Sequence, residues 1–298
     1  MKMVSGILVS LRPRQWVKNL LVVIAPAAAG ELTNRTVMAN TAIAFGLFCL
    51  GASGLYLIND VRDREADRHH PTKSQRPIAA GIVPAPVAWT LGVTFLAASA
   101  LLSNMALHHN HSFGIVLCIY LALTLIYSSG AKRVPVIEFF IVASGFFLRA
   151  LAGATASHLF VSNWFLTVTA FSALFLVVGK RAAEVMALGD GARAHRSVLA
   201  DYTPHFLRSA LTLSATVVVT SYCLWAFDIS ATGLSNVHHQ VTAVRLTVIP
   251  VVVAILHILQ RLERGDGGAP EDLVFSDRTL QVLGLIWAAL FLVGVHAG

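Results

Sequence analysis

Charge is scarce in this chain. Asp, Glu, Lys and Arg make up 12% of its 298 residues, against about 25% in soluble domains, which excludes an ordinary solvated surface. Cysteine is scarcer still. Cys49, Cys118 and Cys223 stand singly within apolar runs and without CxxC spacing, so they read as core thiols rather than as metal ligands or disulfide partners. No break between soluble domains is visible. A short apolar stretch followed by a small-residue cleavage site is also missing: Lys2, Arg12, Arg14 and Lys18 precede a long apolar run, and no cleaved signal peptide is expected. No RNA- or DNA-binding motif accompanies the net charge of +7, which argues against a nucleic-acid partner.

What is abundant is apolar sequence. Hydrophobic residues make up 56% of the chain and the mean hydropathy is +0.71. Crossing a hydrocarbon core of about 30 Å takes about 20 apolar residues of helix. Runs of that kind lie near 17–37, 41–58, 85–107, 112–129, 135–156, 161–179, 209–231, 241–260 and 280–297. They predict an all-α, polytopic membrane protein with nine transmembrane helices, folded as one integral membrane domain over 1–298. Pro26 interrupts the first run.

Orientation follows from the basic residues. Nineteen of the 22 Lys and Arg fall in the N-terminal segment or in the loops after the even-numbered runs. By the positive-inside rule that side is the cytoplasm, so the N-terminus is expected inside, in a multi-pass protein of the inner (plasma) membrane. Loops on that side also carry most of the polar chemistry. The histidine clusters His108-His109-His111 and His238-His239 fall in outer loops and read as solvated loop residues rather than metal ligands.

One inner loop concentrates acid. Asn59-Asp60-Val61-Arg62-Asp63-Arg64-Glu65-Ala66-Asp67 follows the apolar Leu55-Tyr56-Leu57-Ile58. On a continuous helix Asp60, Asp63 and Asp67 fall within roughly 60° of one another over about 10 Å of axis. Carboxylates so close repel unless a hard cation such as Mg²⁺ sits among them, with a diphosphate completing its oxygen shell. Lys73 and Arg76 follow, and Pro71, Pro77 and Gly81 shape a return loop. After the sixth run, Lys180 and Glu184 share a helix face at i,i+4 with Arg181 beside them. Arg278 follows Ser276 and Asp277, which suit the cap of the last helix. Tyr127 sits near Lys132 and Arg133 at the inner end of the fourth run. Glu138 and Arg149 share a face of the fifth run, but about 16 Å of axis separates them. A mid-membrane charge demands a partner or a cavity, so Arg149 is expected to face a carboxylate or a ligand phosphate.

Asn59-Asp60-x-x-Asp63-x-x-x-Asp67, followed by Lys73-x-x-Arg76-Pro77-Ile78-Ala79-Ala80-Gly81, resembles the first signature of the UbiA superfamily of intramembrane prenyltransferases. The resemblance covers essentially the whole chain and implies a UbiA-type helical bundle with a cytoplasmic active site. It also implies Mg²⁺ as cofactor, held with a diphosphate by Asp60, Asp63 and Asp67 with Asn59 assisting. Members that prenylate aromatics carry a second aspartate-rich motif after the sixth span. Here Gly179-Lys180-Arg181-Ala182-Ala183-Glu184 stands in its place. With the opening Arg12-Pro13-Arg14-Gln15-Trp16-Val17-Lys18-Asn19 and the segment Pro270-Glu271-Asp272-Leu273, this is similar to the branch that transfers 5-phosphoribose from phosphoribosyl diphosphate to a polyprenyl (decaprenyl) phosphate for cell-wall arabinan precursors. For such a reaction Lys73, Arg76, Lys180, Arg181 and Arg278 are expected to contact phosphates, with Lys18 and Tyr127 as further substrate contacts. Glu184 is expected to bind a ribose hydroxyl or orient Lys180. An aromatic prenyltransferase for quinone or haem synthesis is the alternative within the family, and a transporter the alternative outside it. Oligomeric state stays open, a homo-oligomer included.

Overall fold

Asn34 starts the longest helix among the described residues. Its side-chain oxygen accepts from the backbone N–H of Thr36 at 3.0 Å and of Val37 at 3.3 Å, which satisfies the first free donors of the turn. The helix then runs 28 residues, Arg35–Arg62, about 42 Å at 1.5 Å per residue. The computed structural model describes residues 2–107, 111–188, 201–228, 238–264, 273 and 276–296. Among these, every regular element is helical.

In chain order the α-helices are α1 (Lys2–Ser10), α2 (Ile24–Ala28), α3 (Arg35–Arg62), α4 (Arg64–Arg68), α5 (Ala85–Ala106), α6 (His111–Ser129) and α7 (Ile137–Ala156). They continue with α8 (Asn163–Leu188), α9 (Pro204–Phe227), α10 (His238–Leu246), α11 (Val248–Arg264) and α12 (Arg278–His296). Among the described residues seven helices are long and apolar enough to cross a membrane: α3, α5 to α9, and the stretch Val241–Arg264. They coincide with the second to eighth expected runs. The ninth run is the shorter apolar Arg278–Gly294.

The first expected run takes another form. Residues Pro13–Val23 are a 3-10 helix, continued by the five residues of α2. A 3-10 helix rises about 2.0 Å per residue, so these sixteen residues reach about 30 Å. That reach is used. Arg12 is bonded to Asp60 near the C-terminal end of α3, while Asn34 caps its N-terminal end. The segment between them therefore travels most of the length of α3, against which the 3-10 helix packs.

The chain divides into two compact units. The first comprises Met1–Ala27, Glu31–Ser129 and Leu148–Leu159; the second comprises Ala28–Gly30, Gly130–Phe147 and Phe160–Gly298. In the first, α3 meets α5 where both lack side chains. A Cβ on Gly54 would lie 2.8 Å from the carbonyl oxygen of Gly92, and one on Gly92 would lie 3.1 Å from that of Gly54. Small residues allow such backbone approach where no water drives helices together. Ser99 on α5 adds a buried hydrogen bond to the Leu47 carbonyl at 2.9 Å. Deep in this unit Arg149 donates to Asn19 and to the Tyr120 hydroxyl, both at 2.7 Å, with its guanidinium 4.6 Å from the Tyr120 ring centre. The partners expected for Arg149 were a carboxylate or a phosphate. An amide, a phenol and an aromatic face are among the partners it has here.

In the second unit α8 packs along α9, and α12 lies against α10 and α11. Their core holds Phe139, Val178, Leu207, Leu211, Ile258 and Leu262. Trp287 Nε1 donates to the Tyr222 hydroxyl at 2.7 Å, and that hydroxyl meets Thr247 Oγ1 at 2.7 Å, pinning the joint between α10 and α11.

Candidate functional site

The acidic run does not form one continuous helix. α3 stops at Asp63, whose backbone (φ −87°, ψ 1°) has left the helical region, and α4 restarts at Arg64. A helical rung still joins the two pieces, with Asp63 N–H donating to Asn59 O at 2.9 Å and Asp67 N–H to Asp63 O at 2.8 Å. Asp60 and Asp67 are each 3% exposed, whereas Asn59 and Asp63 are half-buried. Glu65, the fourth acid, points away. It is exposed and bound by Arg64 and Arg68, and the hydrogen bond from Arg64 holds its carboxyl below the usual range.

Arginine closes the site. Arg76 Nη1 donates to Asp67 Oδ2 at 2.7 Å and to Asp60 Oδ1 at 3.2 Å. Arg12 Nη2 donates to the same Asp60 oxygen at 2.5 Å. Buried carboxylates require such partners. Arg76 comes from the return loop just after the 3-10 turn Lys73–Gln75, on which Lys73 is exposed. Arg12 comes from the N-terminal turn, in the left-handed region at φ 55° and ψ 58°. That turn is clamped to α3: Ser53 Oγ donates to Leu11 O at 3.2 Å and accepts from Trp16 Nε1 at 3.1 Å. The Arg12 guanidinium lies 5.0 Å from the Tyr56 ring centre. Ser53, Tyr56 and Asp60 thus form a stripe at i, i+3 and i+7, and the turn sits on it.

Arg12 is the residue that sequence reading left without a role in the site. The signal was present as an Arg-Pro pair ahead of an apolar run and a polar stripe on α3, but nothing in the sequence pairs one with the other. Lys18, exposed, belongs to the same 3-10 helix. Tyr127, half-buried, sits two residues before Ser129, whose hydroxyl accepts from Arg62 Nη1 at 3.1 Å. Both expected contacts therefore belong to the unit that holds the acidic run.

The second unit holds the remaining candidates. Arg181 is 5% exposed and Glu138 is fully buried. They form a two-pronged pair, Nε to Oε1 at 3.0 Å and Nη2 to Oε2 at 3.2 Å, and Arg181 Nη1 reaches Glu184 Oε2 at 2.6 Å. Arg181 was expected to meet a phosphate. Its three donor nitrogens are instead engaged by two carboxylates, because burying Glu138 demands a cation. Glu184 is tied to Arg181, and Lys180 is the exposed cation of the pair. Tyr202 stacks on Phe139 at 4.7 Å, and its hydroxyl accepts from the Val136 N–H at 2.8 Å. Burial pushes this phenol up to about 12. Arg278 is exposed on the first residue of α12. Asp277 caps that helix through the N–H groups of Thr279 and Leu280 and bonds His257 at 3.0 Å. The His257 bond holds the Asp277 carboxyl below the usual range. Asp190, His108, His109, the His238 and His239 side chains, and the Pro270-Glu271-Asp272 segment lie outside the described residues.

Among the described residues no three His, Cys, Asp or Glu side chains converge as metal ligands. Here Asp60 pairs with Arg12 and Arg76, and Asp67 with Arg76. The donor chemistry nevertheless suits a hard divalent cation, since Asn59, Asp60, Asp63 and Asp67 offer only oxygen.

Seven long apolar helices among the described residues, together with a site of buried carboxylates and arginine, mark an integral membrane protein. The chain belongs to the UbiA prenyltransferase family, whose sequence profile matches residues 20–295. It is 43% identical over 297 residues to the decaprenyl-phosphate phosphoribosyltransferase of Corynebacterium glutamicum, covering 98% of this chain and 87% of that one. It is 44% identical over 296 residues to the enzyme of the same name from Mycobacterium tuberculosis, covering 96% and 93%. Its fold resembles a UbiA homolog from Archaeoglobus fulgidus solved bound to DMAPP and Mg²⁺, with a TM-score of 0.69 at 18% identity over 97% of each chain.

Proposed function

We propose that this protein transfers 5-phosphoribose from phosphoribosyl diphosphate to a polyprenyl phosphate such as decaprenyl phosphate, releasing diphosphate, to supply cell-wall arabinan precursors. The observation that carries this reading is the near full-length identity of 43–44% to enzymes named for that transfer. Basic residues where an aromatic prenyltransferase carries a second set of acids support it further, because an acceptor phosphate is already anionic and needs alignment rather than a general base.

Asp60, Asp63 and Asp67, with Asn59, are assigned to hold Mg²⁺. When bound, the cation draws negative charge from the leaving diphosphate oxygens. Arg76 and Lys73 are assigned to the same oxygens, Arg76 through its two-pronged guanidinium. Lys180, Arg278 and Lys18 are assigned to phosphate groups and Tyr127 to substrate positioning. Glu184 is assigned to a ribose hydroxyl, and Arg181 holds it in place. An acceptor phosphate oxygen forms the new bond to the anomeric carbon as the bond to diphosphate breaks, with inversion. Residues stabilising charge as it develops supply the main catalytic effect.

A charged cytosolic donor requires a cytoplasmic site, so the N-terminus is assigned inside and the chain to nine crossings of the plasma membrane, Pro13–Ala28 making the first. The test is incubation of purified protein with Mg²⁺, labelled phosphoribosyl diphosphate and a polyprenyl phosphate, followed by lipid extraction. Lipid-linked label is expected, falling at least about 100-fold in Asp60→Asn, which removes a group from the charge-stabilising set. Turnover of a prenyl diphosphate with an aromatic acceptor in its place would overturn the reading.

A further inference from the structure

The turn that carries Arg12 is more than a connection between α1 and the 3-10 helix. α1 lies across the return loop: a Cβ on Gly6 would touch Val83, Ile82 and Pro77. Ile7 and Leu11 join the cluster of Leu57, Ile78, Val83 and Ala88. Ser53 and Trp16 pin the backbone on either side of Arg12. The backbone is fixed, while the guanidinium is 30% exposed and ends on a carboxylate that is 4% exposed.

We propose that Arg12 is a further ligand-binding residue of the acidic site, a built-in counter-charge that neutralises Asp60 until a divalent cation and an anionic diphosphate enter together. This rests on the metal and diphosphate reading given above. Asp60 and Asp67 carry two negative charges, and Arg12 and Arg76 carry two positive ones, both on Asp60 Oδ1 and Arg76 also on Asp67 Oδ2. A cation entering alone takes the carboxylates and leaves two guanidinium groups beside it without their anions. A diphosphate entering alone meets two buried carboxylates. Entering together, the cation takes the carboxylates and the diphosphate takes the guanidinium groups, so every charge stays paired. Coupling of this kind is reciprocal, each ligand tightening the other by the same factor. In the proposed reaction it keeps the cation from occupying the site without a donor.

Binding of Mn²⁺, followed by the loss of its free paramagnetic signal, measures this in the full-length protein in detergent. Isotherms are taken with and without inorganic diphosphate and compared with Mn²⁺–diphosphate binding in buffer. In the wild type, diphosphate is expected to tighten Mn²⁺ at least about tenfold, the scale of one charge contact screened by water. Arg12→Gln is expected to bind Mn²⁺ alone about tenfold more tightly than the wild type and to lose most of the coupling. Arg12→Lys, which keeps the charge, is expected to retain the coupling, an outcome that a purely structural role does not produce. Arg12→Met replaces the glutamine variant if that protein fails to fold. Equal Mn²⁺ affinity with and without diphosphate in the wild type, or wild-type isotherms in both charge-removing variants, overturns the role of Arg12 alone. Absence of Mn²⁺ binding from every protein under every condition overturns the metal reading and this inference with it.

Discussion

Glu138 and Arg181 are single side chains on different helices, and each explains the other's burial. Removing one partner of a buried pair leaves the other charge uncompensated, which costs about 3 to 5 kcal/mol. Glu138→Gln keeps the volume and removes the charge. It is expected to lower stability by about 3 kcal/mol, and Glu138→Gln with Arg181→Gln to recover part of that loss, as thermal melting in detergent of both variants reads. Tyr202 makes a second residue-scale case. Its phenol ionises at about 12 in the fold, against 10.0 for a free one, because it is buried. Below pH 10 both folded and unfolded chains keep the proton and the contribution is complete. Between pH 10 and 12 the unfolded chain releases it first, so stability falls as pH rises. Tyr202→Phe keeps the stack on Phe139 and is expected to melt less steeply with pH across that window. At neutral pH it costs about 1 kcal/mol, because the Val136 N–H loses its acceptor. Sequence alone marked Arg181 as a cation without showing that Glu138, 43 residues earlier, would claim it. Pairings across such separations are set by packing.

Helices are where the sequence was most legible. Seven apolar runs became seven long helices, because run length and hydropathy are local properties that a membrane-sized helix must satisfy. Two elements were not legible. The break of α3 at Asp63 accompanies the return of Arg76 onto Asp60 and Asp67, a pairing that local sequence does not encode. The 3-10 form of Pro13–Val23 carries no hydropathy signature, since apolar content does not distinguish 2.0 from 1.5 Å per residue. Its packing gives a test. A Cβ on Gly153 of α7 would collide with the carbonyl of Val22 in that segment, whereas one on Gly46 of α3 meets nothing within 4 Å. Replacing a helical glycine by alanine alone stabilises by about 0.5 to 1 kcal/mol. Gly46→Ala is therefore expected to raise the melting temperature and Gly153→Ala to lower it, by about 1 to 3 kcal/mol of overpacking. The same sign in both variants would mean that the 3-10 segment does not lie where α7 meets it.

At the scale of the whole molecule the issue is which ends face which side. Large apolar side chains remain exposed in the first unit at Leu101, Met105 and Ile115, and in the second at Leu213, Ile249 and Leu285, as lipid contact requires. The ion pair of Arg12 with Asp60 sets the N-terminal turn at the C-terminal end of α3, and the cap at Asn34 marks the other end. If α3 crosses the bilayer, Pro13–Ala28 crosses beside it in the opposite direction, and its 3-10 rise lets sixteen residues suffice. Thr33 and Phe160 then lie outside and Thr72 inside, three crossings separating Thr72 from Phe160. In a background with Cys49, Cys118 and Cys223 replaced, Thr33→Cys and Phe160→Cys are expected to react with a membrane-impermeant maleimide on intact spheroplasts. Thr72→Cys is expected to react only in inside-out vesicles. The distribution of Lys and Arg supports that orientation through the positive-inside rule, and the reverse labelling would place the acidic site on the face that a cytosolic donor cannot reach.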